Sequence, residues 1–215
     1  TIGNLLDQGG GYRNLIQQLN TANNLSGTLT VTQTSDATFT GSIRRSWDGS
    51  NSSLNLLKDG AARLTLRSPQ SHPNHLQSGT VRVRSGALVY DIVSDSNTTA
   101  DTLGVSSITV DAGASFAYRS DQSLVLTPEL LGTGSLVLQG TNTMNQGSFQ
   151  ITRSNASFGG AISLIDQARL ILTNGQGAGT GSIEVAANSG VYVTATSPIT
   201  NTLRLAGNGW AESTG

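Results

Sequence analysis

The sequence has no cysteine, one lysine, two histidines, one methionine and four prolines in 215 residues. Without cysteine there is no disulfide framework, no thiolate metal site and no cysteine nucleophile. This excludes a small disulfide-stapled secreted module but suits a large exported chain that stays unfolded in transit. Charge is scarce too: 12 Lys and Arg against 13 Asp and Glu give a net charge of −1, and only 12% of residues are charged. Nucleic acids and anionic membranes call for a basic surface, so neither is expected as a partner. Lys58 is the single Lys, so the lysine-rich surface of a cytosolic enzyme is missing as well. No apolar run approaches the roughly 18 residues of a membrane-spanning helix, and no secretory leader is visible. The chain opens at Thr1 without Met and is read as a piece of a larger protein whose export signal lies outside it.

What is there is polar and uncharged. Gly (26), Ser (27), Thr (26) and Asn (16) together make 95 residues, or 44% of the chain, so the core must come from the 36% hydrophobic fraction. Apolar-x-apolar triplets recur at Leu29–Val31, Leu54–Leu56, Val81–Val83, Ile108–Val110, Leu136–Leu138, Ile162–Leu164, Ile183–Val185 and Leu203–Leu205, at intervals of 20 to 28 residues. A second triplet follows in five units: Leu64–Leu66, Leu88–Tyr90, Phe116–Tyr118, Leu170–Leu172 and Val191–Val193. Residues 107–118, 161–172 and 182–193 align without a gap. Period-2 bursts this short mean short strands with one buried face, too small for independent hairpins. Stacked as turns of a solenoid, they would line one continuous interior. Small corner groups at Asp59-Gly60, Asp111-Ala-Gly113 and Asn188-Ser-Gly190 supply the left-handed backbone that sharp bends need. A parallel β-helix of about eight coils over residues 25–215 is therefore expected. An antiparallel sandwich is the competing architecture, but it would favour longer strands and more Asn-Gly and Asp-Gly hairpin turns. Residues 1–24 stand apart: Tyr12, Leu15, Ile16 and Leu19 have helical spacing, which predicts a short helix capping the first coil. Two polar stretches, 67–79 and 91–100, read as loops leaving the stack.

Candidate chemistry is thin. His72 and His75 lie three apart in a Pro-containing loop with no acidic residue between Ser68 and Gly86, so they read as solvated histidines and not as a metal pair. Six acids, Asp91, Asp95, Asp101, Asp111, Asp121 and Glu129, fall within 39 residues. A β-helix glycosidase or lyase would gather such carboxylates on adjoining coils, but here no Lys or His stands near them to complete an acid–base set. Arg67, Arg119 and Arg153 follow inward-facing positions and could form a sparse basic ridge, with Arg82 and Arg84 on a neighbouring face; such a ladder can grip acidic glycans, or simply keep the sheet soluble. Gly132-Thr-Gly134 and the glycine-rich run 175–181 lead into strands with no helix and no Lys, so they are corners and not phosphate loops. No catalytic, metal or cofactor-binding residue is assigned.

The segment from Gly132 through Leu136-Val-Leu138 to Thr143 resembles the autotransporter-associated β-strand repeat, also called the passenger-associated transport repeat. The stretch from Gly159 through Ile162-Ser-Leu164 to Leu170, and Gly79-Thr-Val-Arg-Val83 with Ala87-Leu88, are similar to its second half. Gly27-Thr-Leu-Thr-Val31 with Phe39-Thr-Gly41 is a looser copy, and Leu203 to Trp210 resembles the start of another. The sequence departs from the pattern at Met144-Asn-Gln146, where Thr-Gly-Gly is usual, and residues 1–24 match none of it. The resemblance implies a right-handed β-helical passenger segment of a bacterial protein, at the cell surface or secreted, with an outer-membrane β-barrel outside this sequence. It carries no catalytic residues. The expected function is a non-enzymatic adhesin or stalk whose partners are host or neighbouring-cell surface proteins or glycans. A carbohydrate-active β-helix enzyme or tailspike-like depolymerase, and a self-associating biofilm element, are the alternatives.

Overall fold

A computed structural model describes residues 1–5, 15–17, 26–44, 53–67, 79–92, 103–141 and 147–207. These residues form an all-β solenoid of parallel sheets. The first face is a five-stranded sheet of β2 (Ser26–Thr32), β5 (Ser53–Asp59), β7 (Thr80–Val83), β9 (Ser107–Val110) and β12 (Glu129–Gly132). The second face has eight strands: β3 (Ala37–Phe39), β6 (Arg63–Arg67), β8 (Ala87–Ile92), β10 (Ser115–Ser120), β13 (Ser135–Gln139), β15 (Ile162–Ile165), β17 (Ile183–Val185) and β19 (Leu203–Leu205). The third holds β11 (Leu124–Leu126), β14 (Ser148–Ile151), β16 (Arg169–Leu172) and β18 (Gly190–Val193). Five successive turns carry strands on both the first and second faces, fewer than the eight or so coils expected, and β15, β17 and β19 continue the second face beyond them.

The core is built by columns of identical position. On the second face one inward column runs Leu64, Leu88, Phe116, Leu136, Ile162, Ile183 and Leu203, and its neighbour runs Phe39, Leu66, Tyr90, Tyr118, Leu138, Leu164, Val185 and Leu205. In-register pairing keeps each column in one line, about 4.8 Å per rung, so every aliphatic residue covers the next. Aromatics cluster mid-stack, where Tyr90 meets Tyr118 edge to face at 6.1 Å and Phe116 meets Tyr118 at 4.9 Å. Full burial holds the Tyr118 phenol well above its ordinary range.

The sequence repeat and the spatial repeat differ by one face. The first four apolar triplets are first-face strands β2, β5, β7 and β9, whereas the last four are second-face strands β13, β15, β17 and β19. Residues 107–118 therefore align in sequence with 161–172 and 182–193 but sit one face earlier in their turn. The slip occurs at β12, whose Leu130-Leu131-Gly132 lacks the triplet pattern, so that the eye passes from Ile108 directly to Leu136.

The N-terminal segment covers the first coil in extended form. Ile2 donates its N–H to the Thr30 carbonyl (2.9 Å) and accepts from Thr32 N–H (3.1 Å). The helix expected around Leu15 and Ile16 is not formed: β1 (Leu15–Gln17) is a strand pairing in parallel with β4 (Ser42–Arg44). A nine-residue helix is marginal in water, whereas an available strand edge satisfies the same backbone groups and places Ile16 against the core. Tyr12 and Leu19 lie outside the described residues. Among the described residues no helix is long and apolar enough to cross a membrane.

Candidate functional site

The charged side chains sort by coil. Asp91, expected to begin a loop, lies within β8, next to its last residue, and is buried, with its side chain 3% exposed. On the rung below, Arg67 donates Nε and Nη2 to its Oδ2 (3.1 and 3.0 Å); on the rung above, Arg119 donates Nη1 to both carboxylate oxygens (3.1 Å). Parallel register makes this inevitable, because Arg67, Asp91 and Arg119 occupy one column. The same column continues to Gln139, whose amide donates to Asp166 at 2.7 Å. Of the basic ridge read from the sequence, Arg67 and Arg119 share an alternating Arg–Asp–Arg rail, whereas Arg153 follows β14 on the third face and is not part of it.

The other sequence candidates resolve likewise. Arg82 makes a bidentate pair with Asp111 of the next coil, which raises the guanidinium's pKa, and Arg84 reaches back to Asp59 at 3.2 Å. Asp59 is held below the usual carboxylate range, first by the Ser85 hydroxyl and then by the Gly60 N–H and Arg84. Glu129 on β12 faces Arg153 at 3.7 Å, and Asp121 follows directly on β10. His72, His75, Asp95 and Asp101 lie outside the described residues. Among those described, no group of three His, Asp or Glu side chains is placed to hold a metal ion. The glycine runs are corners, as read. Gly132 takes φ 91°, and a Cβ there would run into the Val110 carbonyl of the coil below.

Lys58, Asn155 and Gln33 are interior polar side chains that the sequence reading did not place inside. Lys58 occupies the inward column between Val31 and Val83, and its ammonium donates to the carbonyls of Gly60 (2.8 Å) and Ser85 (2.9 Å). Burial pushes its pKa down, against the opposing pull of Asp59 and Asp36. Asn155 accepts from Leu130 N–H (2.9 Å) and donates to the Gly177 carbonyl (2.8 Å), joining three coils from inside. Gln33 accepts from Leu5 N–H at 3.1 Å. Each replaces ladder hydrogen bonds where a coil turns a corner.

The third face has a different outer surface. One outward column runs Val125, Gln150, Ile171, Tyr192 and its neighbour runs Ser148, Arg169, Gly190. Thr127, Thr152, Thr173 and Thr194 follow at the strand ends. Arg169 lies over the Tyr192 ring with its guanidinium carbon 3.5 Å from the centroid. It makes no ion pair, and its Nε is buried without a hydrogen-bond partner. The seven other arginines with described side chains each have a carboxylate partner. The sequence reading does not consider Arg169; aligning 161–172 with 182–193 puts Tyr192 in the outward column next to it. No protein-family model, curated protein or solved structure matches this chain.

Proposed function

We propose that this chain is a non-enzymatic, surface-exposed segment of a large exported bacterial protein, an adhesive β-solenoid stalk anchored by a barrel outside this sequence or released. The observation that supports it is the use made of charge. Seven carboxylates of the described residues are tied to a side chain of the adjoining coil, by an ion pair in six cases and by the Gln139 amide in the seventh. Acid and base groups that brace neighbouring turns stiffen a stack and keep its faces free of a single-sign field. The broad outer faces of Ser, Thr, Val and Ala then carry the contacts.

The test is adhesion of beads coated with the purified chain to epithelial monolayers, bacterial lawns and immobilised glycans, run beside a polysaccharide panel assayed for reducing ends and unsaturated sugars. Specific adhesion without sugar release is expected. Release from any polysaccharide would refute the non-enzymatic reading in favour of a depolymerase. Absence of adhesion with concentration-dependent sedimentation would favour a self-associating element.

A further inference from the structure

Resting on that adhesive reading, we propose that Arg169 on Tyr192 is the centre of a binding site for acidic polysaccharide on the third face, with the guanidinium taking the carboxylate of a uronic-acid residue. Three independent features point the same way. The first is charge: in a chain where the other described arginines are paired, Arg169 alone has no acidic partner, so its positive charge is uncompensated. An uncompensated guanidinium on a sheet face is a ready site for an oxyanion, and its planar fork fits a carboxylate through two parallel hydrogen bonds.

The second is preorganisation. The Tyr192 ring fixes the guanidinium plane at van der Waals distance, so little side-chain freedom remains to be lost on binding. Gly190 stands beside Arg169 in register and puts no side chain on the next rung. Its Nε is buried without a hydrogen-bond partner, so a carboxylate would be taken by the two terminal nitrogens of Arg169.

The third is the surrounding chemistry. Along the rungs the neighbours of the pair are Ser148, Gln150, Ile171 and Val125, the last 42% exposed, with the threonine column beside them. A sugar chain presents alternating C–H patches and hydroxyls. A flat strip with an apolar centre, an amide and hydroxyl edges meets both, and its single guanidinium answers one uronate carboxylate.

The test uses the whole chain immobilised for surface plasmon resonance, with polygalacturonate, dextran sulfate, polyglutamate and neutral dextran as analytes. Binding to polygalacturonate above the other three is expected. Arg169→Gln should weaken it about tenfold or more, as the loss of charge-assisted hydrogen bonds implies. Arg169→Lys keeps the charge but not the fork and should also lose most of the affinity, and Tyr192→Leu should lose a smaller share. Arg63→Gln, on another face, should bind as the parent does. Thermal unfolding of each variant separates a folding defect from a binding one, and if Arg169→Gln fails to fold, the Lys variant decides. Equal binding by parent and Arg169 variants, or no polygalacturonate binding by the parent, would overturn the site. Stronger binding to dextran sulfate would overturn the carboxylate assignment, and equal binding to polyglutamate the glycan assignment. Bead adhesion that persists without polygalacturonate binding would remove this site alone and leave the adhesive reading standing; loss of both would remove both.

Discussion

Replacing Asp91 by Asn should destabilise the solenoid more than any other single loss of a described carboxylate. The carboxylate is almost wholly buried and receives hydrogen bonds from two guanidiniums, while Arg67 and Arg119 keep 54% and 33% of their side-chain surface exposed. Breaking a fully buried ion pair typically costs about 3–5 kcal/mol, and losing an exposed one about 0.2–1 kcal/mol. The geometry is intermediate, because solvent can take up part of each arginine's charge once the partner is gone. A loss of about 2–3 kcal/mol follows, sharpened by the new amide, whose N–H group would point donors at donors. For a chain of this size that lowers Tm by roughly 4–12 °C. The comparison is Asp36→Asn, which breaks the pair with Arg63, where both side chains are more than half exposed, and should cost less than about 1 kcal/mol. Urea denaturation of parent and both variants, with the slope checked for constancy because solenoids can unfold in parts, measures the difference. Equal small losses would refute the view that the Arg67–Asp91–Arg119 rail braces the stack. A gain in stability for Asp91→Asn would be worse for it, since that is the signature of a strained functional carboxylate.

Lys58→Met tests the buried ammonium through pH. Because the folded pKa is lowered, the unfolded state binds more protons between that value and the ordinary one near 10.4, so the parent should gain stability relative to Lys58→Met as pH rises through this window; a flat difference in Tm up to about pH 10.5 would refute it. Asn155→Leu leaves Leu130 N–H and the Gly177 carbonyl unpaired in the interior and should cost about 2–4 kcal/mol, with lost amide-exchange protection at Leu130 as the local readout. Gly132→Ala and Gly113→Ala both add a Cβ at positive φ, but only the first meets backbone, so it should cost several kcal/mol where Gly113→Ala costs about 1–2; urea midpoints check the order.

How much of this was legible in the sequence depends on what a position faces. Inward positions announce themselves, since a column of Leu64, Leu88, Phe116 and Leu136 must be apolar at every rung, and the recurrence alone yields the stack and its corners at Gly60, Gly113 and Asn188. The face on which a triplet lies is not legible, because Ile108-Thr-Val110 and Ile183-Glu-Val185 present the same pattern on different sheets. Leu15–Gln17 failed for a related reason: helical spacing over nine residues is weaker than an open strand edge, which only the fold reveals. Partnership across coils is hidden too. Asp91 looks like the first residue of a polar loop, and only its register between Arg67 and Arg119 makes it a buried anion.

That register also explains why the outer positions of the repeat are so irregular. In a parallel in-register stack a perfectly repeated charge would sit about 4.8 Å from its own copy on every rung, and like charges at that distance repel by roughly 3 kcal/mol per pair at an effective dielectric near 20. The chain avoids this by changing the charge from coil to coil: Arg67, Asp91, Arg119 and then neutral Gln139 in one column, Asp59, Arg84 and Asp111 in another. Sparse charge and a degenerate repeat are thus one constraint seen twice. Under such a rule the described charges neutralise one another from coil to coil, and an outer residue that breaks it stands out by physics alone. Arg169 breaks it: flanked in its column by Ser148 and Gly190, it meets no opposite charge among the described residues and lies instead over an aromatic ring.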